Sequence, residues 1–151
     1  MPKIDIENSR LGFAQIRVEV DGKEILLKSV SYGDAMERSQ IEGNAQMSLG
    51  MSAGMYKADD GEIEVYADEF AELVEAFGEK FYTKPFDISV TFEPEGTTKL
   101  TKDEIIGCRW NKRGVSDQTG SDALTRTLGY TAAYVKFGGK NPLPNMPDGA
   151  K

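Results

Sequence analysis

The stretch GEIEVYADEFAELVEAFG, residues 61–78, holds both kinds of element this chain uses. From Glu62 to Tyr66 the residues alternate, with Ile63 and Val65 on one face. Alternation at period two marks a half-buried strand. The pattern then changes. Phe70, Leu73, Val74 and Phe77 recur at i, i+3, i+4 and i+7, the single apolar stripe of an amphipathic helix. Asp68 is placed to cap this helix and Gly78 to stop it, so a helix is expected over 68–77. Glu69, Glu72 and Glu75 occupy much of its other side. This is the one helix the sequence marks firmly, which makes the fold mainly β.

The flanking segments read as strands. FDISVTFE at 86–93 puts Phe86, Ile88, Val90 and Phe92 on one face and polar residues on the other. Gln15 to Val20 alternates in the same way and runs into Asp21-Gly22, a two-residue hairpin signal. The return strand is expected from Lys23 to Tyr32. Its Ile25-Leu26-Leu27 run breaks the alternation, which predicts coverage on both faces or a bulge. Pro94-Glu95-Gly96 reads as a turn, followed by a short strand around Thr98–Thr101 and another over Glu104–Lys112. Arg113–Asp122 reads as a polar loop. Ala123–Phe137 forms one strand or two, depending on Gly129. The sum is some seven strands: an antiparallel β-sandwich or barrel with one flanking α-helix and a long loop arm. Residues 1–12 form a polar lead-in, 13–137 one β domain, and 138–151 a tail expected to be extended or disordered.

The arm spans residues 33–61. Met47, Met51 and Met55 lie four apart, but Gly50 and Gly54 interrupt that helical spacing. Glycine costs about 1 kcal/mol in a helix interior, so loop or extended strand ends are favoured. Loops this long inside small domains are functional or disordered. The apolar content of this one favours a contact surface. Its candidate interface residues are Met36, Ile41, Met47, Leu49, Met51, Met55 and Tyr56.

Composition removes many chemistries. The 151 residues carry a net charge of −7, which argues against a protein held to nucleic acid by phosphate contacts. There is no histidine, so a Ser-His-Asp or Cys-His site is impossible within one chain. A zinc site would have to rely on one thiolate and carboxylates, a poor ligand set. Cys108 is the only cysteine; it reads as a buried structural thiol. Asp103 and Glu104 are strand neighbours that point to opposite faces. Asp59-Asp60-Gly61-Glu62 lacks the spacing of a calcium loop, and Gly138-Gly139-Lys140 lacks that of a phosphate loop. Trp110, Tyr130 and Tyr134 could stack bases only beside a basic groove. The opening MPKIDIENSR has no apolar core of a signal peptide, and no apolar run approaches the ~20 residues that span a bilayer. The expectation is a soluble, cytoplasm-made protein without catalytic residues, cofactor, metal or membrane binding.

Four segments carry a family resemblance: GEIEVYADEFAELVEAFG at 61–78, FDISVTFEPEG at 86–96, EIIGCRW at 104–110 and GSDALTRTLGYTAAYVKFGGKNP at 120–142. Together, and in their order around the arm, they resemble the tail tube proteins of bacteriophages over about residues 10–142. The resemblance implies a β-sandwich or barrel flanked by a helix, as in the related type VI secretion tube. It implies hexameric rings whose inner strands join into one barrel, stacked into a tube that conducts DNA without specific binding. The arm would reach a neighbouring subunit or ring. Implied partners are other copies of the chain and tail sheath, tape-measure and baseplate or terminator proteins. The implied location is the virion tail, after assembly in the host cytoplasm. The alternatives are a type VI or baseplate-type tube component, or a small-ligand-binding β-barrel.

Overall fold

The computed structural model describes residues 16–41, 43–44, 46–47, 49–92, 101–120 and 122–146. The expected lead-in, the turn at 94–96, most of the short strand at 98–101 and the last five residues of the tail lie outside the described residues.

Asp21 and Gly22 adopt φ values of 54° and 80°, the two positive values that a type I′ turn requires. They join β1 (Ile16–Val20) to β2 (Lys23–Ile25), with Val18 opposite Ile25. The expected single return strand then divides. Leu26, 69% exposed, separates β2 from β3 (Leu27–Ser31). The irregular Ile25-Leu26-Leu27 run is therefore a change of sheet, because β3 pairs with a different partner from β2. The arm follows, with β4 (Asp34–Glu37), β5 (Gln40–Ile41), β6 (Gly50–Met51) and β7 (Met55–Ala58). Next come β8 (Gly61–Tyr66), α1 (Ala67–Phe77), β9 (Phe86–Phe92), β10 (Thr101–Val115), β11 (Thr125–Thr131) and β12 (Tyr134–Lys136).

The main strands run β2-β1-β9-β10-β11-β8-β3, with β12 also on β10, and every pairing is antiparallel. β10 serves both layers. Its first half pairs with β9 and β12, its second half with β11. One core joins the two layers: Val18, Val90 and Ile105 from the first, Ile63, Val65 and Leu128 from the second. The ladder is open. Its two ends, β2 and β3, are joined by the chain through Leu26 rather than by hydrogen bonds. The described residues thus form open sheets, not a closed barrel.

The doubled role of β10 explains why its sequence does not alternate. Gly107 sits at φ 69°, and the register to β9 shifts between Ile105 and Cys108. That bulge lets Ile105, Cys108 and Trp110 all be buried despite their odd spacing. β10 also takes in Arg113–Val115, which the sequence suggested as loop. A Cβ at Gly107 would lie 2.8 Å from that of Ala133 and would hold a left-handed φ. Gly107→Ala is expected to cost about 2 kcal/mol, read as a lower urea midpoint. An unchanged midpoint would show that the bulge tolerates a side chain. The break between β11 and β12 falls after Thr131, whereas Gly129 lies inside β11.

The helix begins at Ala67, one residue earlier than expected. Tyr66 occupies the cap position and no side chain caps the end; Asp68 lies in the first turn instead. There its charge faces the positive end of the helix dipole. Gly78, φ 58°, ends it as expected, and a short 3-10 turn continues over Gly78–Lys80. Leu73 and Phe77 are buried, and Phe77 meets Phe81, Phe86 and Trp110 edge-on at 5.3–6.1 Å between ring centres. Each such pair adds about 0.5–1.5 kcal/mol beyond area burial. The Trp110 Nε1 is buried with no hydrogen-bond partner among the described residues, at a cost of about 1–3 kcal/mol. Ring packing on several sides offsets it.

Candidate assembly surface

The arm, expected as loop or extended strand ends, is a β-ribbon. β4 pairs with β7, setting Asp34 opposite Ala58, Met36 opposite Tyr56 and Glu37 opposite Met55. Farther out β5 pairs with β6, Gln40 opposite Met51 and Ile41 opposite Gly50. Two residues separate the outgoing strands and three the returning ones. Gly54, φ 89°, takes up part of the difference. The paired segments are two to four residues long, too short for alternation to be legible.

The base of the ribbon is tied to the body by two tyrosines. The Tyr32 hydroxyl donates to Asp103 Oδ2 at 2.5 Å, and its ring stacks on Phe137 with centres 5.8 Å apart. On the return strand the Tyr56 hydroxyl donates to Asp34 at 2.7 Å and accepts from the backbone N–H of Val135 at 3.0 Å. Ala58 is buried, and the Asp59 N–H donates to the Gly33 carbonyl. The Val135 bond gives a backbone donor of β12 a side-chain partner, which blunts that strand for pairing.

Beyond the base the chemistry changes. Ile41, Met47, Leu49, Met51 and Met55 are 51–79% exposed, half of the exposed large apolar side chains among the described residues. The seven expected contact residues therefore all lie on one ribbon but divide in two. Met36 and Tyr56 are half-buried at the base, and Tyr56 is engaged internally. The other five lie open. Sequence reasoning missed Tyr32, Asp103 and Phe137 as the residues that hold the ribbon. Asp103 shares an inward row with Val18 and Val90; an acid in an apolar row was the available signal.

The weighed motifs resolve plainly. Trp110 and Tyr130 belong to the core, and Tyr134 is buried. Gly138 and Gly139 form a turn, φ 64° and 78°, closed by Lys140 N–H to the Phe137 carbonyl. Among the described residues no group of three or more Cys, Asp and Glu could hold a metal ion. No described helix is long and apolar enough to cross a membrane.

Burial pushes the Cys108 thiol up to about 12 from its ordinary 9.0, with the charge of Asp87 adding to the shift. Burial, then the hydrogen bond to Asp34, raises Tyr56 from 10.0 to about 12. Tyr32 and Tyr130 move the same way, each chiefly through burial. Raised acids of this kind favour the fold while protonated. Their contribution is whole below the unfolded values and is lost as pH rises through the folded ones. The urea midpoint is thus expected to fall steadily from about pH 9 to about pH 12. A midpoint that stays level across this window would contradict the burial of these groups.

No protein-family model matches the chain, and no curated protein matches it by sequence. Solved structures do match. A chain of the PVC sheath/tube terminator, from an extracellular contractile injection system in its extended state, superposes with a TM-score of 0.70. The match covers 85% of this chain and 96% of that one at 11% identity. A chain of the anti-feeding prophage tube-terminating cap gives 0.69, covering 89% and 94%, also at 11% identity. Hcp1 from Flavobacterium johnsoniae gives 0.52, covering 83% and 95%, at 18% identity. At these identities the likeness is one of fold. The chain has the fold found in tube-associated components of contractile injection systems and in Hcp.

Proposed function

We propose that this chain is a structural, non-enzymatic tube subunit of a phage tail or phage-like injection particle. Copies form hexameric rings, and rings stack into a conduit. The observation that carries the reading is the arm: a ribbon fixed at its base that exposes Ile41, Met47, Leu49 and Met51 in its outer part and Met55 at the far end of the inner ladder. Exposed apolar clusters of this kind mark contact surfaces. The open ladder supports the same reading. Unpaired strand edges invite pairing with another copy, and a ring closes what the single chain leaves open. The net charge of −7 suits a channel through which DNA passes without being held. Sheath, tape-measure, baseplate and terminator proteins are the partners this role brings, and the tail or injection particle is its location.

A type VI secretion tube is the second reading, favoured by a likeness in fold to a type six secretion system protein, TM-score 0.55 at 14% identity. A ligand-binding barrel has no comparable support, because Trp110, Tyr130, Phe81, Leu128 and Ile63 fill the interior. Mass measurement and negative-stain electron microscopy over a concentration series test the proposal. Rings or tubes of six-fold symmetry are expected at high concentration. A chain that remains monomeric throughout, even with preformed ends added as seeds, would remove it.

A further inference from the structure

Asp103 is the one buried charged side chain among the described residues, 7% exposed. Its two oxygens are committed to two distant segments. Oδ2 accepts from the Tyr32 hydroxyl at the start of the arm, and Oδ1 accepts from the backbone N–H of Gly138 at 2.9 Å. Phe137, immediately before Gly138, stacks on Tyr32. Two residues earlier, the Val135 N–H donates to Tyr56 of the returning arm strand. The outgoing and returning strands of the arm are thus both held by the segment that leads into the tail.

We propose that residues 135–140 act as a strap that sets the posture of the arm, with Asp103 as the shared fastening. A buried carboxylate is stable only while its oxygens are hydrogen-bonded. When the Gly138 N–H leaves, Oδ1 is left to water, and water entering there also competes for the Tyr32 hydroxyl on Oδ2. Releasing the strap loosens the arm, and releasing the arm loosens the strap. The coupling is reciprocal, as any coupling between two local equilibria must be. A ligand or neighbouring copy that displaced Phe137, which is partly exposed, would free the arm from a distance in sequence. This holds whether or not the arm joins copies in a tube.

Amide hydrogen exchange on the full-length chain tests the coupling. Phe137→Leu changes the strap at the ring that stacks on Tyr32, leaving every hydrogen bond of the arm in place, and Tyr32→Phe removes only the hydroxyl that donates to Asp103. Phe137→Leu is expected to speed exchange across 33–37 and 55–59 by about tenfold or more. Tyr32→Phe is expected to speed exchange at Gly138 and Lys140 to a similar degree. Amides in β9 and β8 serve as the control and stay within about twofold of wild type. Asp103→Asn, which keeps one acceptor and adds a donor, is expected to loosen both segments at once. If each variant quickens only its own segment, the strap and arm are independent and the proposal is overturned. Should a variant also quicken β9 and β8, it has destabilised the whole fold; Phe137→Met and Tyr32→Trp then replace it, and decoupled exchange in those overturns the proposal equally.

Discussion

Gly61→Ala is expected to destabilise the chain by about 3 kcal/mol, lowering Tm by roughly 6–12 °C. Gly61 is buried in β8, opposite Tyr130 of β11. The Tyr130 ring lies across the space a side chain would occupy, and its hydroxyl donates to the Ser31 carbonyl at 2.8 Å. A Cβ at Gly61 would fall inside contact distance of the ring and of that carbonyl oxygen. Neither can yield cheaply. Tyr130 is fully buried and touches Trp110 edge-on, and the Ser31 carbonyl is main chain in β3. The substitution therefore forces the ring aside, breaks a buried hydrogen bond and strains three strands together. Gly114, with open space where its Cβ would be, is the matched control. Gly114→Ala is expected to stay within about 0.5 kcal/mol of wild type. Equal melting of the two variants would show that Tyr130 does not pack as described.

The second large effect falls on assembly. Replacing Ile41, Leu49, Met51 and Met55 together by serine should leave the melting temperature almost unchanged, since all four side chains are exposed. The same change should weaken self-association by at least about 100-fold, because each buried aliphatic or methionine side chain contributes roughly 1.5–3 kcal/mol. Substitution is cleaner than deletion here. Met55 begins β7, so excising the tip would also cut the pairing that anchors the ribbon. Sedimentation velocity reads association, and circular dichroism confirms the fold. A serine variant that assembles like wild type would show that the apolar tip is not the contact.

The legible parts of the fold were those where local chemistry and final environment agree. Asp21-Gly22 demands its turn wherever it occurs, and β9 alternates because one side is core and the other is not. The stripe of Phe70, Leu73, Val74 and Phe77 could serve only a helix against a sheet. What escaped was set by tertiary partners. Leu26 looks like core, yet it is the exposed corner where one strand becomes two. Gly107 shifts the register of β10, and Asp103 is buried because Tyr32 and Gly138, 71 and 35 residues away, supply its donors. The arm, expected as loop or extended strand ends, holds two short paired ladders. Its glycines suggested loop, while its short strands gained order only by pairing with each other. Met36 and Tyr56 could not be told from the exposed arm residues, because only the register shows which side of the ribbon meets the body.

A cryo-electron microscopy reconstruction of the assembled particle decides whether the arm joins copies of this chain. The arm tip, from Ile41 through Met47, Leu49 and Met51, is expected against a neighbouring copy, with those side chains buried between subunits. A particle in which the tip projects into solvent while the copies meet through other surfaces would contradict the account.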